Sequence, residues 1–174
     1  IRSADLHSSP LAESLLAIGR AGAGTNNIPV ADCTEKGIAV FNSPGANAEA
    51  VKEQEICAMV MASRDVLGSI EWVKSIADRG EEIPTLVEKC KSNFAGPELL
   101  GKSLGVIGLG ATGSMVANAA LAIGMVVYGY DPFMSVDAAW RLSGDVIHSD
   151  SIDDIFRNCD YISLNVPYNK GTHC

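Results

Sequence analysis

The chain has 174 residues, of which 47% are apolar and 20% charged, and its formal net charge is −8. This length and composition allow a buried hydrophobic core and argue against intrinsic disorder. No Lys/Arg cluster is present, which argues against a nucleic-acid surface, because neutralising phosphates requires concentrated basic side chains.

The apolar runs and the cysteines further limit the class of protein to which the chain can belong. The most apolar run, residues 56–63, is far shorter than the ~18 residues that span a bilayer. The five cysteines lack both C-x-x-C spacing and the density of a disulfide scaffold, which predicts reduced thiols in a cytoplasmic protein. Because the chain opens on IRSADLH without Met and stops at GTHC, we expect both ends to be truncated.

Short elements alternate in the first 45 residues. We expect a strand over IRSADLHSS, a helix over LAESLL, a strand over AIG, a short helix over VADCTEKG and a strand over IAVFN. This predicts α/β structure, with too little chain for a complete domain. The intervening loop GRAGAGTNN, residues 19–27, is either a turn that needs positive φ or a ligand loop.

Helices are expected in the next segment. After the turn SPGAN, no Gly or Pro interrupts the chain up to Arg64, which predicts one long helix. A second amphipathic helix should run from Val66 to near Gly80. An irregular connector with one short helix should follow.

From Ser103 the pattern is that of a βαβ unit: strand SLGVIG, loop LGATG, helix SMVANAALAI and strand MVVYGY. Helical spacing should place Val116, Ala119, Ala120 and Ile123 against the sheet. A helix SVDAAWRL, a strand DVIHS, a short helix opened by Ser151 with Asp154 as capping partner, and a strand DYISLNV continue the alternation.

The loop of this unit contains G-x-G-x-x-G at Gly108, Gly110 and Gly113. The first glycine makes the turn, the second lets backbone approach a pyrophosphate, and the third permits close packing of helix on strand. By itself the motif also fits an ordinary turn. Asp131 ends the next strand at the ~20-residue offset of a ribose-binding carboxylate, although it could serve only as a turn former before Pro132. Together these features predict a dinucleotide site and favour NAD over NADP.

Catalytic candidates are sparse. Hydride transfer from a hydroxy acid requires a general base and a cation for the carboxylate. We interpret His7, His148 and His173 as ordinary surface or strand-end imidazoles. The sequence therefore predicts no catalytic residue and no metal site within the chain.

Five segments, taken in order, carry a resemblance to a known family: RSAD, GRAGAGTNNI, GIAVFNSPGANAEAVKE, LLGKSLGVIGLGATGSMVANAALAIGMVVYGYDP and CDYISLNVPYNKGT. They resemble the D-isomer-specific 2-hydroxyacid dehydrogenases, and most closely the phosphoglycerate dehydrogenases among them. The resemblance implies a partial Rossmann-type doubly wound parallel sheet plus part of a smaller flavodoxin-like α/β substrate domain. Residues 1–46 would belong to the substrate domain, and residues 47–174 would form the linking helix and the first half of the NAD domain.

The same resemblance implies functional residues. Arg2 and Ser3 match a loop that contacts the substrate's acidic groups, and Gly22 matches the loop whose backbone holds the substrate carboxylate. The positions implied for NAD are Gly108, Gly110, Ala111, Thr112, Gly113, Asp131, Asn165, Val166, Pro167 and Thr172. A D-2-hydroxy acid substrate and a homodimer are also implied.

The chain departs from the family pattern in three places. TNN at residues 25–27 replaces an aliphatic residue followed by Asp-Asn, and Gln54 and Glu55 replace apolar residues, which should weaken packing of the linking helix. The family's catalytic Arg, Glu and His would lie beyond Cys174. Two alternatives therefore remain open: a non-catalytic NAD-binding module of the same fold, and an α/β domain without a cofactor.

Overall fold

The structure is a computed structural model, and it describes residues 4–168 and 171–172. The chain divides into two compact units. One contains Ile1–Val51 and Val166–Cys174, and the other contains Lys52–Asn165.

The first unit is built on two parallel strands. Strand β1 spans Ala17–Arg20 and pairs with β2, Ala39–Asn42. Helix α1, Val30–Glu35, connects them. These elements close over a small core, a cluster of buried apolar side chains formed by Ile18, Ile28, Cys33 and Ile38.

The predictions for residues 4–16 are wrong. The helix expected over LAESLL is replaced by a turn, and residues 4–9 of the expected first strand also form turns and irregular chain. Six residues are too few to sustain a helix without tertiary support. Leu11 and Leu15 instead pack against the core of the first unit, while Leu16 remains 81% exposed.

The second unit contains a four-stranded, fully parallel sheet in the order β5-β4-β3-β6. The strands are β3 Ser103–Ile107, β4 Val126–Tyr130, β5 Ile147–His148 and β6 Tyr161–Leu164. Helices α5 Ala111–Ala122, α6 Val136–Arg141 and α7 Ile152–Asn158 connect them in turn. The alternation predicted from Ser103 onward is confirmed, as is the cap of α7, where Ser151 Oγ accepts from the Asp154 N–H at 3.2 Å.

Three helices precede this sheet. Helix α2 spans Ala48–Ser63, α3 spans Val66–Ser75 and α4 spans Ile83–Cys90, with 3₁₀ turns at Gly80–Glu82 and Lys91–Phe94. The long helix and the short one in the connector are confirmed, whereas α3 ends well before Gly80. Across the described residues, no helix has the length and apolar character needed to cross a membrane.

The core of the second unit lies between β3, β4 and the helices over them. Its largest fully buried side chains are Leu104, Val106, Val116, Val127 and Ile155. Along α5 the buried face contains Val116, Ala117 and Ala120. The prediction for Ile123 is wrong: this residue follows the end of the helix and is 40% exposed.

Asp160 ties the start of β3 to the chain entering β6. Its Oδ2 accepts hydrogen bonds from the Ser103 N–H and hydroxyl, both at 2.9 Å. These bonds, together with the Lys102 ammonium, hold the pKa of Asp160 below its ordinary value. A carboxylate with a depressed pKa stabilises the fold above its unfolded-state pKa, and loses that contribution as pH falls through the folded-state value.

Asp160→Asn is therefore expected to destabilise the chain at neutral pH, because the charge that strengthens these bonds is lost. The difference from the parent protein should decrease as pH falls below the ordinary pKa of an aspartate, and it should disappear below the lowered pKa of Asp160. Urea unfolding followed by tryptophan fluorescence at several pH values measures this. A difference that stays constant down to the most acidic pH would contradict the assignment.

Candidate cofactor site

The order of the sheet places a topological switch point at the neighbouring strands β3 and β6, and the space outside their carboxyl ends is called the crevice below. From β3 the chain adds β4 and β5 on one side, and it then returns to place β6 on the other. In open parallel α/β sheets, ligands bind outside the carboxyl ends of the strands where the direction of winding reverses. The loop after β3 and Asn165 after β6 both lie at that position.

The glycine loop has the geometry that its sequence predicts. Gly108 adopts φ +89°, a conformation that L side chains rarely adopt, and its N–H donates to the Tyr130 carbonyl at 2.8 Å. A Cβ placed on Gly113 would lie 1.9 Å from the Gly108 carbonyl oxygen. Gly113 therefore allows α5 to pack directly against the turn.

Gly110 has a different role. Its φ of −68° suits any residue, and a Cβ placed there would meet nothing within 4 Å. Neither backbone strain nor packing explains a glycine at this position, but the open space in front of it would admit a ligand. This is the arrangement expected where backbone approaches a pyrophosphate.

The start of α5 suits an anion. Gly110 is the N-cap and supplies no side-chain cap, and the first turn contains no acidic residue. The first N–H groups of a helix have no partner within it, and the helix dipole is positive at this end. Ala111 is exposed and Thr112 half-buried at this turn. The residues present therefore fit a dinucleotide phosphate.

Asp131, for which a ribose contact is predicted, also anchors the loop. Its Oδ2 accepts from the Leu109 N–H at 2.8 Å, and its Oδ1 accepts from the Phe133 N–H at 2.9 Å. A carboxylate has about four acceptor positions, so positions remain for hydroxyl donors. Sequence spacing located Asp131 but did not reveal its bond to Leu109.

Asn165 lies on the other side of the crevice. Its N–H donates to the Ile107 carbonyl at 2.7 Å, and its Cβ lies 3.3 Å from the position that a Gly113 Cβ would take. The Asn165 side-chain Nδ2 donates to Ser163 Oγ at 2.6 Å, and Ser163 in turn donates to a carboxylate oxygen of Glu55. Glu55, expected to weaken packing, thus forms a hydrogen bond between α2 and β6.

The other three implied cofactor residues belong to the first unit. Val166 is half-buried, and Thr172 Oγ1 donates to the Pro167 carbonyl at 2.6 Å. Their contacts with NAD stay predictions.

The implied substrate loop is held to the end of β2. The Gly22 N–H donates to Ser43 Oγ at 2.9 Å, and the Ser43 N–H donates to the Gly22 carbonyl at 3.1 Å. Asn42 Nδ2 donates to the Ala23 carbonyl at 2.8 Å. The Gly22 N–H already has a partner, so a substrate carboxylate would have to use other N–H groups of the loop or compete with Ser43.

Arg20 is a cation beside this loop that the sequence interpretation missed. Its Nη1 would lie 1.9 Å from a Cβ on Gly22, which places the guanidinium over the loop. Arg20 Nε donates to Asn27 Oδ1 at 3.3 Å. Asn27 lies in the TNN segment, so this departure from the family pattern still contributes a contact. The position of Arg20 at the carboxyl end of a strand could have indicated a role.

The predicted substrate residues Arg2 and Ser3 lie outside the described residues, as does His173, which was interpreted as an ordinary imidazole. The other two histidines each lie beside a carboxylate: His7 Nδ1 is 2.8 Å from Asp5, and His148 Nδ1 is 3.5 Å from Asp150. Both imidazoles are more than half exposed.

The parallel sheet, its switch-point glycine loop and the carboxylate after β4 define a Rossmann-type dinucleotide-binding domain. The family model described as "D-isomer specific 2-hydroxyacid dehydrogenase, NAD binding domain" matches residues 56–174. The chain belongs to that family, and NAD is the cofactor of its domain.

Curated relatives agree with this assignment. The chain is 38% identical to the D-3-phosphoglycerate dehydrogenase of Methanocaldococcus jannaschii over 161 residues, covering 92% of this chain and 28% of that protein. It is also 38% identical to the hydroxypyruvate reductase of Thermotoga maritima over 160 residues, covering 92% of this chain and 47% of the relative. The chain therefore spans less than half the length of either relative.

Solved structures of the family share the fold. D-lactate dehydrogenase from Aquifex aeolicus, complexed with NAD and lactic acid, matches with a TM-score of 0.68 and 31% identity, covering 91% of this chain and 44% of its own. NAD⁺-bound 3-phosphoglycerate dehydrogenase from Entamoeba histolytica matches with a TM-score of 0.63 and 31% identity, covering 92% and 42% respectively.

The two loop glycines should respond differently to alanine. Gly113→Ala is expected to destabilise the fold by about 1–3 kcal/mol through overpacking against Gly108. Gly110→Ala should leave the unfolding midpoint nearly unchanged but weaken NADH binding, because its methyl group enters the ligand space. Thermal unfolding and NADH fluorescence titration measure the two effects. Gly144→Ala, at an open position outside the site, is the matched control.

Asp131→Ala is expected to act on both the cofactor and the loop. If Asp131 binds the ribose as predicted, loss of its carboxylate should reduce the preference for NAD over NADP about tenfold. Loss of the bonds to Leu109 and Phe133 should lower stability by about 2 kcal/mol. Asp137→Ala, an exposed carboxylate on α6, is the control, and an unchanged cofactor ratio in Asp131→Ala would refute the ribose role.

Proposed function

We propose that the protein containing this chain oxidises the C2 hydroxyl of 3-phosphoglycerate with NAD, giving 3-phosphohydroxypyruvate for serine biosynthesis. The observation that carries the proposal is the arrangement of the glycine loop, the start of α5 and Asp131 at the switch point of β3 and β6, which fits one part of a dinucleotide. Support for the substrate comes from the names of relatives, several of which are D-3-phosphoglycerate dehydrogenases.

The first unit contains groups that suit an anionic substrate. The chain carries a formal net charge of −8, so an anion needs a local cation and local N–H groups rather than the overall field. Arg20 supplies a guanidinium over the loop at Gly22, and a guanidinium suits bidentate binding of carboxylate or phosphate. We assign it to an acidic group of the substrate.

The second unit supplies the groups proposed to contact the pyrophosphate and the adenosine ribose. When bound, NAD supplies the hydride acceptor for oxidation of the hydroxyl. The N–H groups at Ala111, Thr112 and Gly113 bind and orient the pyrophosphate, and the Asp131 carboxylate accepts from the adenosine ribose hydroxyls.

The general base and its partners are assigned to sequence outside this chain. Hydroxyl oxidation requires a base within hydrogen-bond reach of the proton it removes. His7 and His148 are exposed and lie beside aspartates, so neither is assigned that role. A catalytic Arg, Glu and His in the second half of the NAD domain, a homodimer and a cytoplasmic location complete the proposal.

A second candidate is a non-catalytic NAD-binding sensor of the same fold, which needs the dinucleotide site but no general base. Only the dehydrogenase should turn over a substrate. This can be measured on the full-length protein with 3-phosphoglycerate, D-glycerate and D-lactate as alternative substrates. NADH production with 3-phosphoglycerate at the highest kcat/KM supports the proposal. Saturable NADH binding without turnover of any of the three would favour the sensor, and faster turnover of another acid would overturn the substrate.

Arg20→Gln in the full-length protein is expected to raise KM for 3-phosphoglycerate about tenfold or more, because a charge-assisted contact to the substrate is lost. NADH affinity should not change. Steady-state kinetics and NADH titration separate the two quantities. Lys36→Gln removes a positive charge from an exposed position of the same unit and should leave both values unchanged. An unaltered KM in Arg20→Gln would remove Arg20 from the substrate site.

A further inference from the structure

Three half-buried side chains form a hydrogen-bonded chain behind the cofactor crevice. Asn165 Nδ2 donates to Ser163 Oγ at 2.6 Å, and Ser163 Oγ donates to Glu55 Oε2. Glu55 lies on α2, whereas Ser163 and Asn165 lie in and directly after β6. These contacts therefore connect the linking helix to the carboxyl end of the strand that borders the crevice.

The chemistry of the three groups determines the direction of these bonds. An ionised carboxylate only accepts hydrogen bonds, while a serine hydroxyl has one proton to donate and lone pairs with which to accept. Because Ser163 donates its proton to Glu55, it can only accept from Asn165. The Asn165 amide must therefore turn its NH₂ group toward Ser163. With an apolar residue at position 55, the Ser163 hydroxyl could instead donate its proton to the side-chain Oδ1 of Asn165. The side-chain amide could then take the opposite orientation.

Backbone contacts hold Asn165 at the crevice. Its N–H donates to the Ile107 carbonyl at 2.7 Å, and its Cβ lies close to Gly113 at the start of α5. With the NH₂ group directed at Ser163, the Asn165 Oδ1 is the acceptor available to a ligand. A phosphate oxygen is also an acceptor and does not pair with Oδ1, whereas a hydroxyl or a carboxamide N–H does.

We infer that Glu55 and Ser163 are positioning residues that orient the Asn165 amide, so that Asn165 Oδ1 accepts a hydrogen bond from a hydroxyl or amide N–H of the bound dinucleotide. The backbone N–H groups of α5 then serve the phosphates, and Asn165 serves a donor group elsewhere on the cofactor. This inference rests on the NAD-binding assignment and does not depend on which hydroxy acid is the substrate.

Titration of full-length protein with NADH tests the coupling between the residues. Glu55→Leu, Ser163→Ala and Asn165→Ala are each expected to weaken NADH binding about three- to tenfold, the range of one lost hydrogen bond. In a double-mutant cycle, Glu55→Leu should have little further effect once Asn165 is alanine, because it acts through that side chain. Equal losses from Glu55→Leu in the two backgrounds would overturn the inference.

Two variants on α2 separate orientation from helix packing. Glu55→Gln keeps an acceptor oxygen for Ser163. Its affinity for NADH is therefore expected to lie within about twofold of the parent, unlike that of Glu55→Leu. Glu53→Leu introduces the same apolar side chain at an exposed position two residues earlier and should leave NADH binding unchanged. Failure of Glu55→Gln to restore affinity, or an equal loss in Glu53→Leu, would point to a structural effect and overturn the positioning role.

The orientation itself has a spectroscopic signature. The side-chain ¹⁵N–¹H₂ resonances of Asn165, identified by their loss in Asn165→Ala, should shift in Ser163→Ala and Glu55→Leu but not in Glu53→Leu. Resonances that do not move in the first two variants would overturn the inference even where a variant is too unstable for titration.

Competition with inorganic pyrophosphate identifies the kind of group that Asn165 contacts. Asn165→Ala and Glu55→Leu should leave the inhibition of NADH binding by pyrophosphate within about twofold of the parent, because the phosphates are bound by α5. A loss of pyrophosphate affinity equal to that of NADH would overturn the assignment of Oδ1 to a donor group.

Discussion

The second unit depends on the close approach of Gly113 to the carbonyl of Gly108. Because no side chain separates them, α5 begins directly over the end of β3, and Val116, Ala117 and Ala120 are carried into the core. The same contact points the positive end of the helix dipole into the crevice. The packing of α5 and the orientation of its N-terminus are thus consequences of a single steric constraint, which only glycine satisfies.

Asp131 shows how the site is built into the fold. A carboxylate that accepted only from a ribose would have no role before the cofactor arrives, but Asp131 also holds the Leu109 N–H of the glycine loop. The loop is therefore preorganised by the same carboxylate that we assign to the ribose. Asn165 is likewise held by contacts within the protein. Its backbone N–H donates to the Ile107 carbonyl, and its side chain donates to Ser163, which donates to Glu55 on α2.

The parts of the fold that could be predicted share a physical property. The βαβ unit from Ser103 has strong periodicity, and its turns need glycine or a cap, so local chemistry and tertiary packing agree. LAESLL was assigned wrongly because six helix-compatible residues have little preference of their own, and packing of Leu11 and Leu15 decides their conformation. Ile123 continued the apolar stripe of α5, but the helix ends before it. Arg20 was not predicted as a site residue because its position over Gly22 depends on the pairing of β1 with β2, which no local sequence pattern encodes.

By itself, the sequence determined the glycine loop, its flanking strand and helix, the acidic residue after β4 and the family, because each depends on residue type at fixed spacing. Only the tertiary structure decided the order of the strands, and with it the crevice that brings Asn165 to Gly113. It also decided the contact of Glu55 with Ser163, which lie 108 positions apart. Spacing along a chain constrains neighbours within an element, whereas contacts across a sheet depend on how distant elements pack.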